Sequence, residues 1–264
     1  MKATPINTSR WLVPIRRWDS PTRRVIGVPH AGGWPTSFMT WRESMPAGVD
    51  LFITQFPGRG GLLHEEPVAS ISELVDGMIT ALEPLLSLPY VLVGHSFGSV
   101  VCYELVRQLR QLGYPLPEKL IVSARQAPHI PSKPPFIHHK NDDDLALYLD
   151  RIGGIPSVVA QREELLSLIL RTVRADFQAL ELYDYQPQMP LEISTTVIGA
   201  VDDPIVPQTV LASWGQHVVD AIDVAWMRGG HFYIYQQNNV QRLLQHILLP
   251  PMLQPARSQQ LAIV

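Results

Sequence analysis

Short apolar runs recur along the chain, with longer helical stretches between several of them. Continuous runs of this length are typical of parallel strands that are buried on both faces. They cover Val25–Pro29, Leu51–Phe56, Tyr90–Gly94, Lys119–Ser123, Thr195–Ala200 and Ile222–Met227. Trp11–Arg17 is a weaker candidate for an edge strand, because Pro14 cannot donate a ladder hydrogen bond. The pattern predicts a mostly parallel sheet.

Between these runs, apolar residues at three-and-four spacing predict helices over Ile71–Leu86 and Phe97–Leu112. The second stretch is followed by Gly113 and then by Pro115, which are common helix-stop signals. Strands that alternate with helices predict a doubly wound α/β fold. Sites in such folds lie at the carboxyl ends of the strands.

Residues 127–190 interrupt the alternation, because they contain no convincing strand. The region opens with a cluster of prolines, and Leu145–Leu149 predicts a short helix. A further apolar stripe at helical spacing consists of Leu166, Ile169, Leu170, Val173, Phe177 and Leu180. We interpret the region as a helical lid inserted over the strand ends. Plain core packing of the stripe is the alternative, and the two interpretations are compatible.

Composition narrows the class of protein. The 264 residues fit one α/β domain over 1–264, with a flexible tail at about 250–264. The net charge of −3, without a basic stripe, argues against a nucleic-acid partner. The lack of a signal peptide or a long apolar run predicts a cytoplasmic protein without a membrane span. The single cysteine, Cys102, cannot form an internal disulfide and is expected in the core.

The strongest chemical signal is the G-x-S-x-G sequence Gly94-His95-Ser96-Phe97-Gly98. It follows a predicted strand and opens a predicted helix, which is the context of a nucleophile elbow. The sharp turn lifts the serine hydroxyl above the sheet, and the flanking glycines let the backbone pass closely. A purely structural glycine turn is the alternative, but this context favours Ser96 as a nucleophile.

A serine nucleophile needs a base, and the base needs an orienting carboxylate. In this fold they follow in the order Ser, Asp, His. Among nine histidines, His231 alone follows the last predicted strand after Gly229-Gly230, so we expect it to be the base. His217 is expected on or near a surface helix. Solvated or packed roles suit it, as they suit His138 and His139 in the insertion.

Two acids follow the strand Thr195–Ala200 and compete for the third role. We prefer Asp203, because the following Pro204 and apolar pair would fix it at the strand end. Asp202 could instead bond the backbone of the turn, as in an Asx-type turn. It remains the alternative.

The developing oxyanion needs two backbone donors. The fold supplies one from the residue after the nucleophile, here Phe97, and one from the loop after an earlier strand. That loop is Pro29-His30-Ala31-Gly32-Gly33, whose glycine pair would let the Ala31 amide point inward. An ordinary glycine turn is the alternative. His30 and His95 flank the site, where packing or hydrogen bonding suits them better than catalysis.

Together these residues resemble the type II thioesterases, the stand-alone α/β hydrolases that accompany modular polyketide and nonribosomal peptide synthetases. The resemblance spans roughly Val25 to Leu249. Besides the elbow and the glycine loop, it includes Gln55-Phe56-Pro57-Gly58-Arg59-Gly60, Arg174-Ala175-Asp176-Phe177, Asp203-Pro204 and Gly229-Gly230-His231-Phe232. The chain differs from the family pattern at Gly61, where a further arginine often follows the Pro57-Gly58-Arg59-Gly60 turn.

The resemblance implies an α/β-hydrolase fold and a substrate held as a thioester on the phosphopantetheine arm of an acyl or peptidyl carrier protein. It assigns the triad to Ser96, Asp203 and His231 and the oxyanion hole to the amides of Ala31 and Phe97. Members of the family clear stalled or misprimed acyl units. The chemistry requires no metal or organic cofactor, and we expect a monomer.

Two other functions stay open from the residues alone. A small-molecule carboxylester hydrolase could use the same triad on an oxygen ester. A non-catalytic binding scaffold could keep the fold without turnover, although an intact triad argues against it.

Overall fold

The computed structural model describes residues 9–155 and 162–249. Within them, seven strands form one sheet in the order β1-β3-β2-β4-β5-β6-β7. The strands are β1 Leu12–Arg16, β2 Arg23–Val28, β3 Val49–Thr54, β4 Tyr90–His95, β5 Lys119–Ser123, β6 Ser194–Ala200 and β7 Asp223–Met227. The α-helices are α1 Ile71–Leu82, α2 Phe97–Leu112, α3 Asp142–Arg151, α4 Glu163–Glu181 and α5 Gln237–Leu248. The predicted α/β fold is confirmed.

All neighbouring strands run parallel except β1, which pairs antiparallel with β3 at one edge. The register of this pair shifts between Pro14 and Arg16. A proline is tolerated there because an edge strand leaves one row of backbone groups unpaired and a bulge interrupts the ladder. The edge-strand prediction is therefore confirmed.

The sheet is buried on both faces, which explains its continuous apolar runs. In β4, Leu92 packs into the cluster formed with α1 and α2. Its neighbours Val91 and Val93 point the other way, into a second cluster formed with α5 and the 3₁₀ segment Pro35–Ser44. Successive side chains alternate between the faces, so each strand needs apolar residues at nearly every position.

Helix ends follow local chemistry. Helix α1 stops at Leu82, earlier than the predicted Leu86, and a 3₁₀ turn over Glu83–Leu85 follows. Pro84 lies in that turn, and a proline lacks the N–H that an α-helix requires. Helix α2 ends as predicted at Gly113, whose φ of 73° is left-handed and whose N–H bonds to carbonyls of the last turn.

The insertion contains no strand in its described part, as expected, and contributes α3 and α4. Helix α3 is longer than the predicted Leu145–Leu149, because Asn141 caps its start by accepting a 2.8 Å hydrogen bond from Asp144 N. Leu170 and Val173 of α4 pack with α3 in a small separate cluster. The predicted tail at about 250–264 lies outside the described residues.

Candidate active site

Ser96 sits between β4 and α2 with φ 54° and ψ −113°. This conformation is strained for a residue other than glycine. Close backbone packing holds it, since a Cβ at Gly94 would lie 2.3 Å from Gly98 O and one at Gly98 would lie 2.1 Å from Val28 O. Ser96 N also donates to Ser123 O at 2.7 Å. The turn fixes the serine at the carboxyl end of the central strand.

His231 and Asp203 lie next to each other, with 2.8 Å between His231 Nδ1 and Asp203 Oδ2. The other carboxylate oxygen, Oδ1, accepts from the amides of Ile205 and Val206 at 2.8 and 3.1 Å. Burial raises the pKa of Asp203, but the hydrogen bonds from His231 and the two amides outweigh it and hold that pKa below its ordinary value. Asp203 is therefore ionised at neutral pH.

Asp202, the alternative carboxylate, occupies the turn instead. It is exposed, and its backbone N–H donates to Gly229 O at 3.3 Å. The structure thus places Asp203, and not Asp202, against His231.

Two further histidines flank His231 but are held neutral. Burial lowers the pKa of His30 to about 3 and that of His95 well below its ordinary value. The Nδ1 atoms share 2.8 Å hydrogen bonds with the Tyr235 hydroxyl and with Ser123 Oγ, respectively. These contacts match the packing and hydrogen-bonding roles expected for them. Their lowered pKa values make both His30 and His95 poor proton acceptors at neutral pH.

The remaining candidate histidines are removed from this cluster. His217 caps the 3₁₀ segment Gln208–Gln216 but is buried, and its Nδ1 lies 3.1 Å from the Tyr103 hydroxyl. The packed role is therefore the one observed. His138 bonds to Glu181 at 2.6 Å within the insertion.

Ala31 and Phe97 carry the two backbone amides that were expected to bind the oxyanion. Phe97 is the first residue of α2, so its N–H has no acceptor within the helix. Ala31 lies in a tight turn closed by the 2.8 Å bond from Gly33 N to His30 O, and Gly32 in that turn has a φ of 75°. Ala31 lines the same cavity as Ser96 and His231. Ala31 is thus at the cavity wall, and Phe97 directly follows the nucleophile in the chain.

The cavity around Ser96 has a volume of about 50 Å³ and is lined in part by the insertion. Residues of the insertion that line it are Tyr148, Leu149, Ile152, Gly154, Phe177 and Leu180. A larger, mainly apolar cavity of about 550 Å³ lies beside it. The two share His30, Gly154 and Phe232 as a common wall. A small reaction chamber therefore adjoins room for a longer apolar group.

One cavity residue was missed by sequence reasoning. Arg125 lies two residues past the end of β5 and lines the chamber with Ser96. Its Nε is buried and has no hydrogen-bond partner among residues 9–155 and 162–249. Burial lowers its pKa to about 10, so it stays charged at neutral pH. Its place just past a strand end, next to the strand of the nucleophile, is a signal that could have identified it.

The described part of the chain carries neither a cluster of metal-binding side chains nor an apolar helix of membrane-spanning length. That part holds no group of three or more His, Cys, Asp or Glu placed to bind a metal ion. None of its helices combines the length and apolarity needed to cross a bilayer.

Comparisons with known proteins identify the family of the chain. The thioesterase domain model matches residues 23–248. The chain is 29% identical over 228 residues to the gramicidin S biosynthesis protein GrsT of Aneurinibacillus migulanus, covering 86% of this chain and 89% of that protein.

Solved structures are similar over nearly their whole length. The type II thioesterase BorB from the borrelidin biosynthetic cluster superposes with a TM-score of 0.82 at 28% identity, covering 91% of this chain and 98% of BorB. YbtT, a type II thioesterase from the yersiniabactin NRPS/PKS pathway, gives 0.79 at 30% identity, covering 89% of this chain and 96% of YbtT. The chain therefore belongs to the thioesterase domain family and is a type II thioesterase, a serine-based hydrolase that acts on thioesters.

Proposed function

We propose that this thioesterase hydrolyses acyl groups from the phosphopantetheine arm of carrier proteins and so clears stalled or misprimed units from a polyketide or nonribosomal peptide synthetase. The observation that carries the proposal is the chamber lined by both Ser96 and the Asp203-bound His231. The borrelidin and yersiniabactin associations of BorB and YbtT support the pathway class. A cytoplasmic monomer is part of the proposal.

In the first half-reaction, Ser96 Oγ attacks the thioester carbonyl while His231 takes the hydroxyl proton. Asp203, ionised and bonded to His231 Nδ1, orients the ring and stabilises its charged form. The carbonyl oxygen becomes negative and is bound by the amides of Ala31 and Phe97. The C–S bond then breaks, the pantetheine thiol leaves with the proton, and the acyl group remains on Ser96.

In the second half-reaction, water attacks the acyl-enzyme. His231 takes a proton from the water and returns one to Ser96 Oγ, which releases the free carboxylic acid and restores the enzyme. A thiolate leaves readily, so oxyanion stabilisation contributes more than protonation of the leaving group. These steps use side chains and water, and we propose that no metal or organic cofactor takes part.

The first prediction concerns the nucleophile. Ser96→Ala should fold normally, because the turn is held by backbone contacts rather than by the serine side chain. It should lower kcat by roughly 10⁴ to 10⁶ and abolish the acyl adduct. Intact-mass measurement with a panel of acylated carrier proteins reports both turnover and adduct.

The same panel includes matching oxygen esters of the same acyl groups. We expect the carrier-bound thioester to be strongly preferred. Equal turnover of the two would indicate a small-molecule carboxylester hydrolase. Absence of both turnover and labelling by a serine-directed fluorophosphonate would indicate a binding scaffold, and near-normal hydrolysis by Ser96→Ala would refute the nucleophile.

A further inference from the structure

A buried ion pair joins the insertion to the loop after β3. Arg59 Nη2 lies 2.7 Å from Asp176 Oδ1, and Arg59 Nη1 lies 2.9 Å from Asp176 Oδ2. The side chains are only 1% and 0% exposed. Desolvating two charges is costly, and a pair of this kind is not in itself a stabilising feature. The position of the pair therefore suggests a role other than stabilising the fold.

The pair also contacts the glycine loop that carries Ala31. Asp176 Oδ2 accepts from Gly32 N at 2.6 Å, and Arg59 Nη1 donates to Gly33 O at 3.3 Å. Helix α4 presses directly on this loop, since a Cβ at Gly32 would lie 2.2 Å from Val173 Cγ2. The peptide that follows Ala31 is thus fixed by a charged acceptor from the insertion.

The opposite side of Ala31 is anchored as well. His30 Nδ1 shares a 2.8 Å hydrogen bond with the Tyr235 hydroxyl, and His30 O accepts from Gly33 N. Ala31 therefore lies between two residues whose positions are fixed from different parts of the chain. The backbone at Ala31 is thus restrained from both sides.

Charge gives the arginine a second role. An unpaired carboxylate bonded to Gly32 N would stand one residue from the amide of Ala31 and would oppose negative charge on the reacting oxygen. The bidentate guanidinium of Arg59 neutralises that carboxylate while leaving it able to accept from Gly32 N. The loop gains a strong acceptor without a net negative charge.

We propose that Arg59 and Asp176 are positioning residues for oxyanion stabilisation. They hold the Ala31 amide in its donating orientation and keep the surroundings of the oxyanion free of net negative charge. The inference rests on the proposed function, in which the Ala31 amide binds the oxyanion. It assigns a catalytic consequence to two motifs far apart in the sequence.

The test uses the double variant Arg59→Met/Asp176→Leu. It removes both buried charges together, a change that proteins often tolerate, so it should fold, with a Tm lowered only by the lost partner of the buried Gly32 N–H. Gly32 N loses its acceptor, and we expect kcat to fall about 10²-fold with little change in KM. Binding of a trifluoromethyl ketone analogue of an acyl-pantetheine should weaken by a similar factor, because its oxyanion uses the same amides.

Single variants separate positioning from charge. Asp176→Asn keeps an acceptor oxygen for Gly32 N, whereas Arg59→Met leaves the carboxylate unpaired. We expect Arg59→Met to lower kcat more than Asp176→Asn does.

A matched control removes another arginine–carboxylate contact between the same two parts of the chain. Arg171 of α4 pairs with Glu66 at 2.6 Å on the surface. The variant Arg171→Met/Glu66→Gln should leave kcat, KM and analogue binding unchanged.

A folded Arg59→Met/Asp176→Leu enzyme with wild-type kcat and wild-type analogue affinity would overturn the inference. So would a loss confined to KM. If the wild-type enzyme itself fails to turn over carrier thioesters, the proposed function fails instead, and the two failures are told apart.

Discussion

At Ser96 the chain accepts a strained backbone conformation, which costs on the order of 1–3 kcal/mol for a residue of this kind. The strain is specific to the nucleophile and to Ala124, the other described residue besides glycine with a positive φ. Ala124 directly precedes Arg125, which lines the same chamber. Both unusual conformations therefore lie at strand ends that present a side chain to the chamber.

The carboxylate assignment gives a residue-level prediction. Asp203→Asn should lower kcat about 10⁴-fold, because an amide no longer holds the base in the correct tautomer. Asp202→Asn should stay within about twofold, since Asp202 is exposed and only its backbone takes part in the turn. Steady-state kinetics on a carrier thioester, with circular dichroism to confirm folding, measures both. A larger loss for Asp202→Asn would reverse the assignment.

Individual residues differed in how far the sequence could identify them. Asp203 could be chosen over Asp202 because its proline neighbour restricts the local backbone. Arg125 was not identified, because an arginine after a strand is common and only the folded chamber shows that its Nε lacks a partner. The contact between Arg59 and Asp176 spans 117 positions, which no local pattern reports.

At the scale of the element, α4 presents two different faces. Phe177 lines the chamber with Ser96 and packs against Tyr148, with ring centroids 6.0 Å apart. Ala179 is buried in the main core with α1 and α2. In the stripe predicted from sequence, Phe177 lines the chamber, whereas Leu180 both lines the chamber and packs in the main core.

This division makes Phe177→Asp and Ala179→Asp a matched pair. Phe177→Asp should change the acyl-chain preference and raise KM, with a Tm loss of only a few degrees, because its side chain is partly exposed to the chamber. Ala179→Asp should cost several kcal/mol of unfolding free energy, since it buries an unpaired charge. Thermal melts beside chain-length profiles compare them. A large Tm loss for Phe177→Asp with an unchanged profile would favour plain packing.

Element boundaries were predicted where side chains set them locally. Gly113 ended α2 at the predicted place because a left-handed residue closes the helix. Helix α3 began earlier than its apolar residues suggested, since Asn141 and three acidic residues stabilise its first turn. Apolar periodicity alone does not report such capping.

At the scale of the whole molecule, burial of neutral histidines links stability to pH. The pKa of His217 is lowered to about 4 by burial, and those of His30 and His95 are also lowered. The unfolded chain binds these protons near pH 6.5, whereas the folded chain resists them. The contribution of these histidines to the free energy of unfolding is therefore fully present above about pH 6.5 and is lost as the pH falls toward 4.

We expect the urea concentration at the unfolding midpoint to decrease when the pH is lowered from 7 to 4. The variant His217→Gln should show a smaller decrease. The glutamine amide can still accept from the Tyr103 hydroxyl but takes up no proton. His64→Gln, a change at an exposed side chain, serves as the control. A decline equally steep in His217→Gln would show that other groups dominate the acid sensitivity.

The fold class was predictable because a sheet buried on both faces imposes apolar runs on every strand. The lateral order of the strands was not predictable. In the sheet, β3 lies between β1 and β2, although β2 comes between β1 and β3 in the chain. Pairing depends on contacts between distant segments, which a strand pattern does not encode. The adjoining cavities likewise depend on how the insertion rests on the strand ends.

The contact of Asp176 with Arg59 and Gly32 limits which segments related enzymes can exchange by recombination without loss of activity. A recombinant that received only the first portion of another insertion, up to the start of α4, would gain new chamber walls and keep its own chemistry. A transplant that included α4 without a matching arginine would carry a foreign carboxylate to the glycine loop. Diversity of substrate range should therefore accumulate at the residues that line the chamber, while Asp176 is inherited together with the turn at Arg59.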